Sequence, residues 1–289
     1  MGLPGFYLNP QYALVLSHLN TTVHIQLEAP KDYPINITLL SRGGHRVDTV
    51  GEERTALSSG AYRQGFCYLE GELPAGAYTI VVSTYKARQM GGFVLKVSTS
   101  SPPQRLSSIP PEGDGMDKQV IQGWWREDDG SAAGCSNYQR YLANPRYGLT
   151  ISNRTALLMR LALPENAGPF PSGRPALNVS VYRTSSTHPP PSMGGWGLGR
   201  SNSAGSIGGG WSSGKLMDLD PRCKPTSSLA VATSNEAVYT DCLCGTATKK
   251  VDLDPGGYVV VVSTFQPLET SFLLTVYSSP RVDELYQLS

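Results

Sequence analysis

The sequence has little charge. Charged residues make up 16% of it and the formal net charge is +1. No strong field therefore favours nucleic acid or acidic membranes, although a local basic patch in the fold stays open. No run of about 18 apolar residues is present, so no membrane-spanning helix is expected. The opening MGLPGFYLNP has no basic stretch leading into an apolar one, so it is not expected to be a signal peptide. Phe6 stands where a myristoylation signal needs Ser or Thr. Histidine is scarce, at His18, His24, His45 and His188. The five cysteines are odd in number and unevenly spread: Cys67 in the first half, and Cys135, Cys223, Cys242 and Cys244 in the second. No cysteine pair is common to both halves, which reads as reduced thiols in a cytosolic setting. Four sequons, at Asn20, Asn36, Asn153 and Asn178, point the other way, but a Ser/Thr-rich β-protein generates such triplets by chance. Phenylalanine is also sparse, 6 against 15 tyrosines. Together with frequent Val, Thr and Ser, that bias suits strands.

What is present is a repeat. Tyr7–Leu16 reads YLNPQYALVL and Tyr141–Ile151 reads YLANPRYGLTI. Leu73–Tyr85 (LPAGAYTIVVSTY) is matched by Asp254–Phe265 (DPGGYVVVVSTF), and FVLKV at Phe93–Val97 by FLLTV at Phe272–Val276. A repeat of about 100 residues is too long for a solenoid unit and has the size of a whole domain. The fold class expected is all-β, two antiparallel β-sandwiches in tandem.

Within the first copy, Thr22–Glu28 alternates: Val23, Ile25 and Leu27 face one way, His24 and Gln26 the other, as in a half-buried strand. Ile35–Leu39, Arg63–Leu69 and Ala77–Tyr85 read as further strands. Arg42-Gly43-Gly44-His45 reads as a hairpin turn, and Pro74-Ala75-Gly76 as a turn in which Gly76 is free to take positive φ. The first sandwich is assigned to residues 1–99 and a Pro-rich linker to 100–118, stiffened by Pro102-Pro103 and Pro110-Pro111. The second sandwich follows at 119–280, with a short tail at 281–289. It carries a Gly/Ser-rich insertion at 185–227 with Trp196 and Trp211, expected as a long loop. Ala156–Leu163 and Leu177–Arg183 are its counterparts of the alternating strands. It also begins earlier in the repeat: Gln122–Trp125, an acidic turn and Ala132–Asn137 precede Asn144-Pro145, whereas eight residues precede Asn9-Pro10. The first sandwich is therefore expected to lack its opening strand, and the chain to be a piece of something longer or a truncated product.

Candidate chemistry is thin. Cys135, in Gly134-Cys135-Ser136-Asn137, suggests a thiol nucleophile, but such a thiol needs a histidine to deprotonate it. Three of the four histidines lie in the other copy and His188 lies in the insertion, so a structural cysteine is expected. Cys242 and Cys244 share a strand face and, with Cys223 and Cys135, would make a four-sulfur zinc set, though the spacing is not the usual one. Buried thiols are the default. Asp128, Asp129, Asp218, Asp220, Asp252 and Asp254 offer carboxylates to calcium, but the first copy has no equivalent set, so solvated turns are expected. Trp124 and Trp125 read as core aromatics closing one end of the sandwich.

Four features of the second copy fall in order: Gly123-Trp124, Ala133-Gly134-Cys135, Asn144-Pro145-Arg146-Tyr147, and Gly256-Gly257-Tyr258 running to Ser263-Thr264-Phe265. The first copy keeps Asn9-Pro10-Gln11-Tyr12 and Gly76-Ala77-Tyr78 through Ser83-Thr84. This ordered set resembles domain III of the calpain large subunit, an antiparallel β-sandwich. Two such domains in tandem resemble the PalB/calpain-seven branch. The resemblance implies that Asn9, Pro10, Gly76, Tyr78, Trp124, Gly134, Asn144, Pro145, Gly256, Gly257 and Tyr258 are structural motif residues, with no catalytic, metal or cofactor residue among them. The Cys–His–Asn protease module and a helical targeting domain are not found. The resemblance further implies a non-catalytic docking or regulatory region whose partners are a protease catalytic module and an endosomal ESCRT scaffold. The setting implied is cytoplasmic and endosome-associated, serving ambient-pH signalling by proteolytic processing. The alternatives are a calcium-dependent phospholipid-binding module, with peripheral membrane contact, and an extracellular adhesion-type sandwich pair.

Overall fold

The computed structural model describes residues 6–41, 43–47, 55–86, 89–165, 167–168, 170, 173–184, 219–220, 222–241, 244–282 and 284–288. Its regular structure is β throughout, apart from short 3-10 turns. The first sandwich runs β1 (Gln11–Leu16), β2 (Thr21–Glu28), β3 (Pro34–Leu40), β4 (Thr55–Ser58), β5 (Arg63–Gln64), β6 (Phe66–Leu73), β7 (Gly76–Thr84), β8 (Val94–Thr99) and β9 (Arg105–Ile109). The second runs β10 (Asp117–Trp125), β11 (Arg146–Ile151), β12 (Thr155–Ala162), β13 (Leu177–Arg183), β14 (Ala230–Thr233), β15 (Thr246–Ala247), β16 (Val251–Leu253), β17 (Gly256–Thr264), β18 (Thr270–Ser279) and β19 (Glu284–Leu288).

Every pairing between these strands is antiparallel, and the two copies share a plan. One sheet of the first sandwich is ordered β4-β3-β7-β1-β9, with β5 also on β3, and its partner sheet is β6-β2-β8. The second sandwich has β14-β13-β17-β11-β19 facing β10-β18-β12-β15, with β16 also on β12. Alternation drives this arrangement. β2 is buried at every second residue, so Val23, Ile25 and Leu27 enter the core while His24 and Gln26 face outward. The central strands β7 and β17 bury long continuous runs, as strands covered on both faces do. The first core gathers Leu14, Ile25, Ile37, Leu39, Leu69 and Ile80; the second gathers Trp125, Tyr147, Met159, Val181, Val260 and Phe272.

Several expectations need correction. The 100–118 linker contains β9, which pairs with β1 from Gln11↔Ile109 to Val15↔Arg105. The 281–289 tail contains β19, which pairs with β11 in the equivalent place. Both are edge strands held by main-chain bonds, and β9 buries little side-chain surface: Leu106 is 45% exposed. Such a strand leaves no apolar run to read. Gly43 and Gly44 do take positive φ (65° and 70°), but in a long β3–β4 connection rather than a tight hairpin. Gly76 does not use positive φ. In the second copy Gly256 (φ 154°) does, and Gly257 does not. Most of the insertion, including Trp196, Trp211, His188 and Asp218, lies outside the described residues, as does Cys242. Of its described residues, Leu219 and Cys223 pack against Tyr141, Tyr182, Val259 and Val261.

Candidate functional site

The repeated motif proves to be a set of side-chain braces, placed alike in both copies. Where β1 and β11 begin, the carbonyls of Pro10 and Pro145 accept from the amides of Val82 and Val262, each at 3.2 Å. At the turn into β7 and β17, Tyr78 Oη donates to Pro74 O (2.9 Å) and Tyr258 Oη to Asp254 O (2.7 Å). At the far end of those strands Ser83 pairs with Tyr62 (3.0 Å) and Ser263 with Tyr239 (2.8 Å). Thr84 and Thr264 then donate two residues ahead, to Lys86 O and Gln266 O. Tyr62 stands edge-on to Tyr85 as Tyr239 does to Phe265. The Ser-Thr-aromatic ending thus closes the corner with a hydroxyl pair, a backbone cap and a ring contact.

Two of the four sequons belong to the same scheme. Asn36 and Asn178 are buried at equivalent places on β3 and β13, and each carboxamide oxygen accepts from the hydroxyl two residues on, Thr38 (3.0 Å) and Ser180 (2.7 Å). Their amides are used within the fold, Asn36 to Gly60 O at 2.7 Å.

In the second copy Asn144 is buried and donates to Gly134 O (2.7 Å) and Tyr141 O (2.8 Å), tying the Gly134 turn to the start of β11. Gly134 itself (φ 73°) leaves no room for a Cβ, which would stand 2.8 Å from Pro267. Of the two adjacent tryptophans, Trp125 enters the core and Trp124 is 46% exposed. The Trp125 ring lies 4.4 Å from Phe272, and its Nε1 donates to Val262 O (3.1 Å). Asn9 contributes its carbonyl to Arg46 Nη1 (3.3 Å).

Among the described residues none of the candidate chemistry converges. Cys135 is buried, and the described histidines His18, His24 and His45 are all in the first sandwich. Cys67, Cys135, Cys223 and Cys244 are all buried. Among the described residues no three His, Cys, Asp or Glu side chains come together to hold a metal ion. Several acids are engaged locally instead. Asp129 accepts from Ser131 N (2.8 Å), and its hydrogen bonds with Ser131 hold its carboxyl below the usual range. Asp220 is held down to about 2 by hydrogen bonds from Arg222, and Asp252 faces Arg154 at 3.2 Å. An open cavity of about 580 Å³ runs between Ser136–Ala143 and Arg222–Lys224. Its Arg222 is already paired with Asp220, and its Arg140 donates to Gly130 O (3.0 Å).

Sequence reasoning missed the junction between the sandwiches. Arg160 lies on the outward face of β12, yet its side chain is 1% exposed. Glu112, from the connection after β9, meets it in a fork, with Nε to the two carboxylate oxygens at 2.8 and 2.9 Å and Nη2 to Oε2 at 2.5 Å. Arg160 Nη1 donates to Cys244 O (2.9 Å), and the Tyr7 ring of the first sandwich lies 3.9 Å from its Cζ. Burial pushes the Tyr7 phenol up, against the pull of Arg160. Arg46 binds the same corner from the first-sandwich side, donating to Pro110 O, Tyr7 O and Ile109 O at 2.6, 2.6 and 2.9 Å. Gly113 (φ 70°) sits against Tyr277, where a Cβ would come within 2.0 Å of the ring. The two sandwiches are thereby joined through a buried ion pair and a stacked ring.

No family model matches the chain. Across most of its length it is homologous to calpain-like proteases of the PalB/RIM13 type, and part of it to calpain-7. It is similar to the calpain-like protease palB/RIM13 of Cryptococcus neoformans, 27% identical over 96% of this chain and 29% of that protein. The protein of the same name from Aspergillus oryzae is 38% identical over 37% of this chain and 13% of its own length. Human calpain-7 is 34% identical over 32% of this chain and 11% of its own. The chain thus spans well under half the length of these relatives. No helix among the described residues is long and apolar enough to cross a membrane.

Proposed function

We propose that this chain is the docking and regulatory β-sandwich region of a calpain-like cysteine protease of the PalB type, with no proteolytic chemistry of its own. It positions a catalytic module against its substrate, in the cytoplasm and at endosomes. There an ESCRT scaffold recruits the protease for the processing step of ambient-pH signalling. The observation that carries this reading is the match to a calpain-like protease over 96% of the chain, whose described regular structure is strands and short 3-10 turns. The Arg160–Glu112 junction supports it, because a docking region works by presenting its surfaces in one geometry.

The test has two arms. The purified chain is incubated with casein and with a fluorogenic calpain peptide; turnover abolished by thiol alkylation would overturn the non-catalytic reading. The aligned region is then deleted from the Cryptococcus relative. The expected result is retained hydrolysis of a short peptide and lost processing of the protein substrate in cells. Unchanged processing would overturn the docking reading.

A further inference from the structure

The connections that follow β3 and β13 pack on corresponding places. Val47 clusters with Leu40 and Val81, and Cys223 with Tyr182 and Val261, which hold the same positions in the pairing of the second copy. An arginine precedes each, Arg46 and Arg222. In the first sandwich Arg46 seals the space beside it. Its guanidinium is spent on the carbonyls of Tyr7, Asn9, Ile109 and Pro110, and Val47 exchanges two hydrogen bonds with the Gln11 side chain, at 2.7 and 3.2 Å. In the second sandwich that closure is not made. Tyr141 O, the counterpart of Tyr7 O, already accepts from Asn144 Nδ2 (2.8 Å) and Asn144 N (3.3 Å). Arg222 turns to Asp220 instead and is 82% exposed.

What stands there is the open cavity of about 580 Å³. Its floor is apolar: Tyr141 and Cys223 are buried in one cluster, and Leu142 packs against it. Its cations are Arg140 on one wall and Arg222 and Lys224 on the other, all exposed. No Asp or Glu among the described residues lines it. The bond that Arg140 makes, to Gly130 O, is to a neutral acceptor and leaves its charge uncancelled. Among the described residues neither Arg140 nor Lys224 is in an ion pair. The pair of Arg222 with Asp220 is exposed, so exchanging it for another carboxylate costs little. Residues 184–217, between β13 and this cavity in sequence, include Arg200 and Lys215 but no Asp or Glu, so that stretch has no carboxylate to offer.

We propose that this cavity binds an acidic peptide segment of a partner polypeptide, with carboxylates on either side of an apolar side chain. One carboxylate meets Arg140, another meets Lys224 and the Arg222 fork, and the apolar side chain covers Leu142 on the floor. Cations on two facing walls suit separate carboxylates better than one compact anion, and the volume is that of a site for a ligand larger than a single acid group. The first sandwich offers no such site, because its arginine is consumed by carbonyls. The proposal deepens the docking reading and rests on it for the existence of a partner. The two fail separately, because that reading is decided by the deletion in the relative and this one by peptide binding.

The probe is a fluorescein-labelled peptide of sequence GEDLDEG, titrated into the full chain, with the uncharged GQNLNQG as control. The expected result is saturable binding of the acidic peptide, weakening as salt is raised, and no binding of the control. Replacing both Arg140→Gln and Lys224→Gln should weaken binding about tenfold. The unfolding midpoint should stay in place, because both side chains are exposed. Asp220→Asn removes the competing carboxylate from Arg222 and should tighten binding about threefold, which a merely structural pair would not do. Absent binding, binding insensitive to the double variant, or binding that Asp220→Asn fails to tighten would each overturn the proposal. So would binding that appears only after residues 190–214 are deleted, which would assign the cavity to the chain itself. Capture of the chain by phosphatidylserine vesicles, lost in the double variant and with no peptide binding, would assign the cations to a membrane surface and overturn it as well.

Discussion

Phe272, Leu274 and Val276 are closed off from water in the second sandwich, while Phe93, Leu95 and Val97 occupy the same positions in the first and stay partly exposed. The frames that hold these residues are otherwise alike, down to the Tyr–Ser pair at the end of the central strand and the Asn–hydroxyl pair beside it. The difference therefore lies in one strand. A sandwich can keep its braces and turns and still leave a core wall to be supplied from elsewhere, because braces are local while closure is a sheet-wide matter.

The sharpest way to test that difference is to truncate the paired phenylalanines. Phe272→Ala removes a ring that is fully buried against Trp125 and Tyr147, and should cost about 3–5 kcal/mol. Phe93→Ala removes the same ring from a partly open site and should cost about half as much or less, because less transfer energy and less cavity are at stake. Guanidinium unfolding with a probe in each sandwich reads both. Equal costs would mean that the first sandwich is closed in solution.

The junction breaks the comparison in another way, since it makes the two units depend on each other. Arg160→Met leaves the Glu112 carboxylate buried without its partner and should cost about 3 kcal/mol, as broken buried pairs do. The expected readout is a single unfolding transition that separates into two, one per sandwich. Replacing Glu112 as well, by leucine, should restore much of the loss, because the cost lies in the stranded charge. A double variant as unstable as Arg160→Met would mean that Tyr7 stacking, not the ion pair, holds the corner.

Much of the fold was legible because its signals are short-range. The alternation of β2, the turn before Tyr78 or Tyr258, and each motif of the repeat are contained within a few consecutive residues. Strands β9 and β19 were not legible, because an edge strand held by backbone bonds leaves no apolar pattern. Nor was the junction: an outward-facing arginine on an alternating strand reads as solvated, and Glu112 lies 48 residues away from it in a turn. The Gly-Trp motif points to Trp124, whereas parity with Ile121 and Gly123 puts Trp125 on the core face, so the signal was present in the period-2 pattern.

Alkaline pH should separate the sandwiches by their tyrosines. Burial pushes Tyr147 and Tyr277 up to about 12, and also raises Tyr141, Tyr182 and Tyr239, all in the second sandwich. Burial raises the matched pair Tyr78 and Tyr258, one in each copy, as it does Tyr12 in the first sandwich and Tyr7 at the junction. A phenol whose folded value lies above its unfolded value of about 10 keeps its proton in the folded state after the unfolded state has lost it. Its contribution is complete below a pH of about 10 and is lost as pH rises toward and through the folded value. More such phenols lie in the second sandwich. Its stability should therefore fall more steeply than that of the first from a pH of about 10 to about 12, measured by urea midpoints in each. Parallel losses would place the buried phenols of the second sandwich in reach of solvent.

The smallest effect tests what the sandwiches have in common. Tyr78 and Tyr258 make the same bond to the carbonyl four residues back, at 2.9 and 2.7 Å, and both rings are buried. Removing either hydroxyl by Tyr→Phe should cost about 1 kcal/mol, the net worth of one such bond, with the ring left in place. The bond lies at the turn into the central strand, away from the β8 edge and from the junction, so neither the missing strand nor the ion pair should alter it. Equal losses from Tyr78→Phe and Tyr258→Phe in chemical unfolding would show that the repeated frame carries the same energy in both copies and that the open edge is a local difference. A loss near zero at Tyr78 alone would show that the open edge loosens the sandwich as far as its opposite sheet.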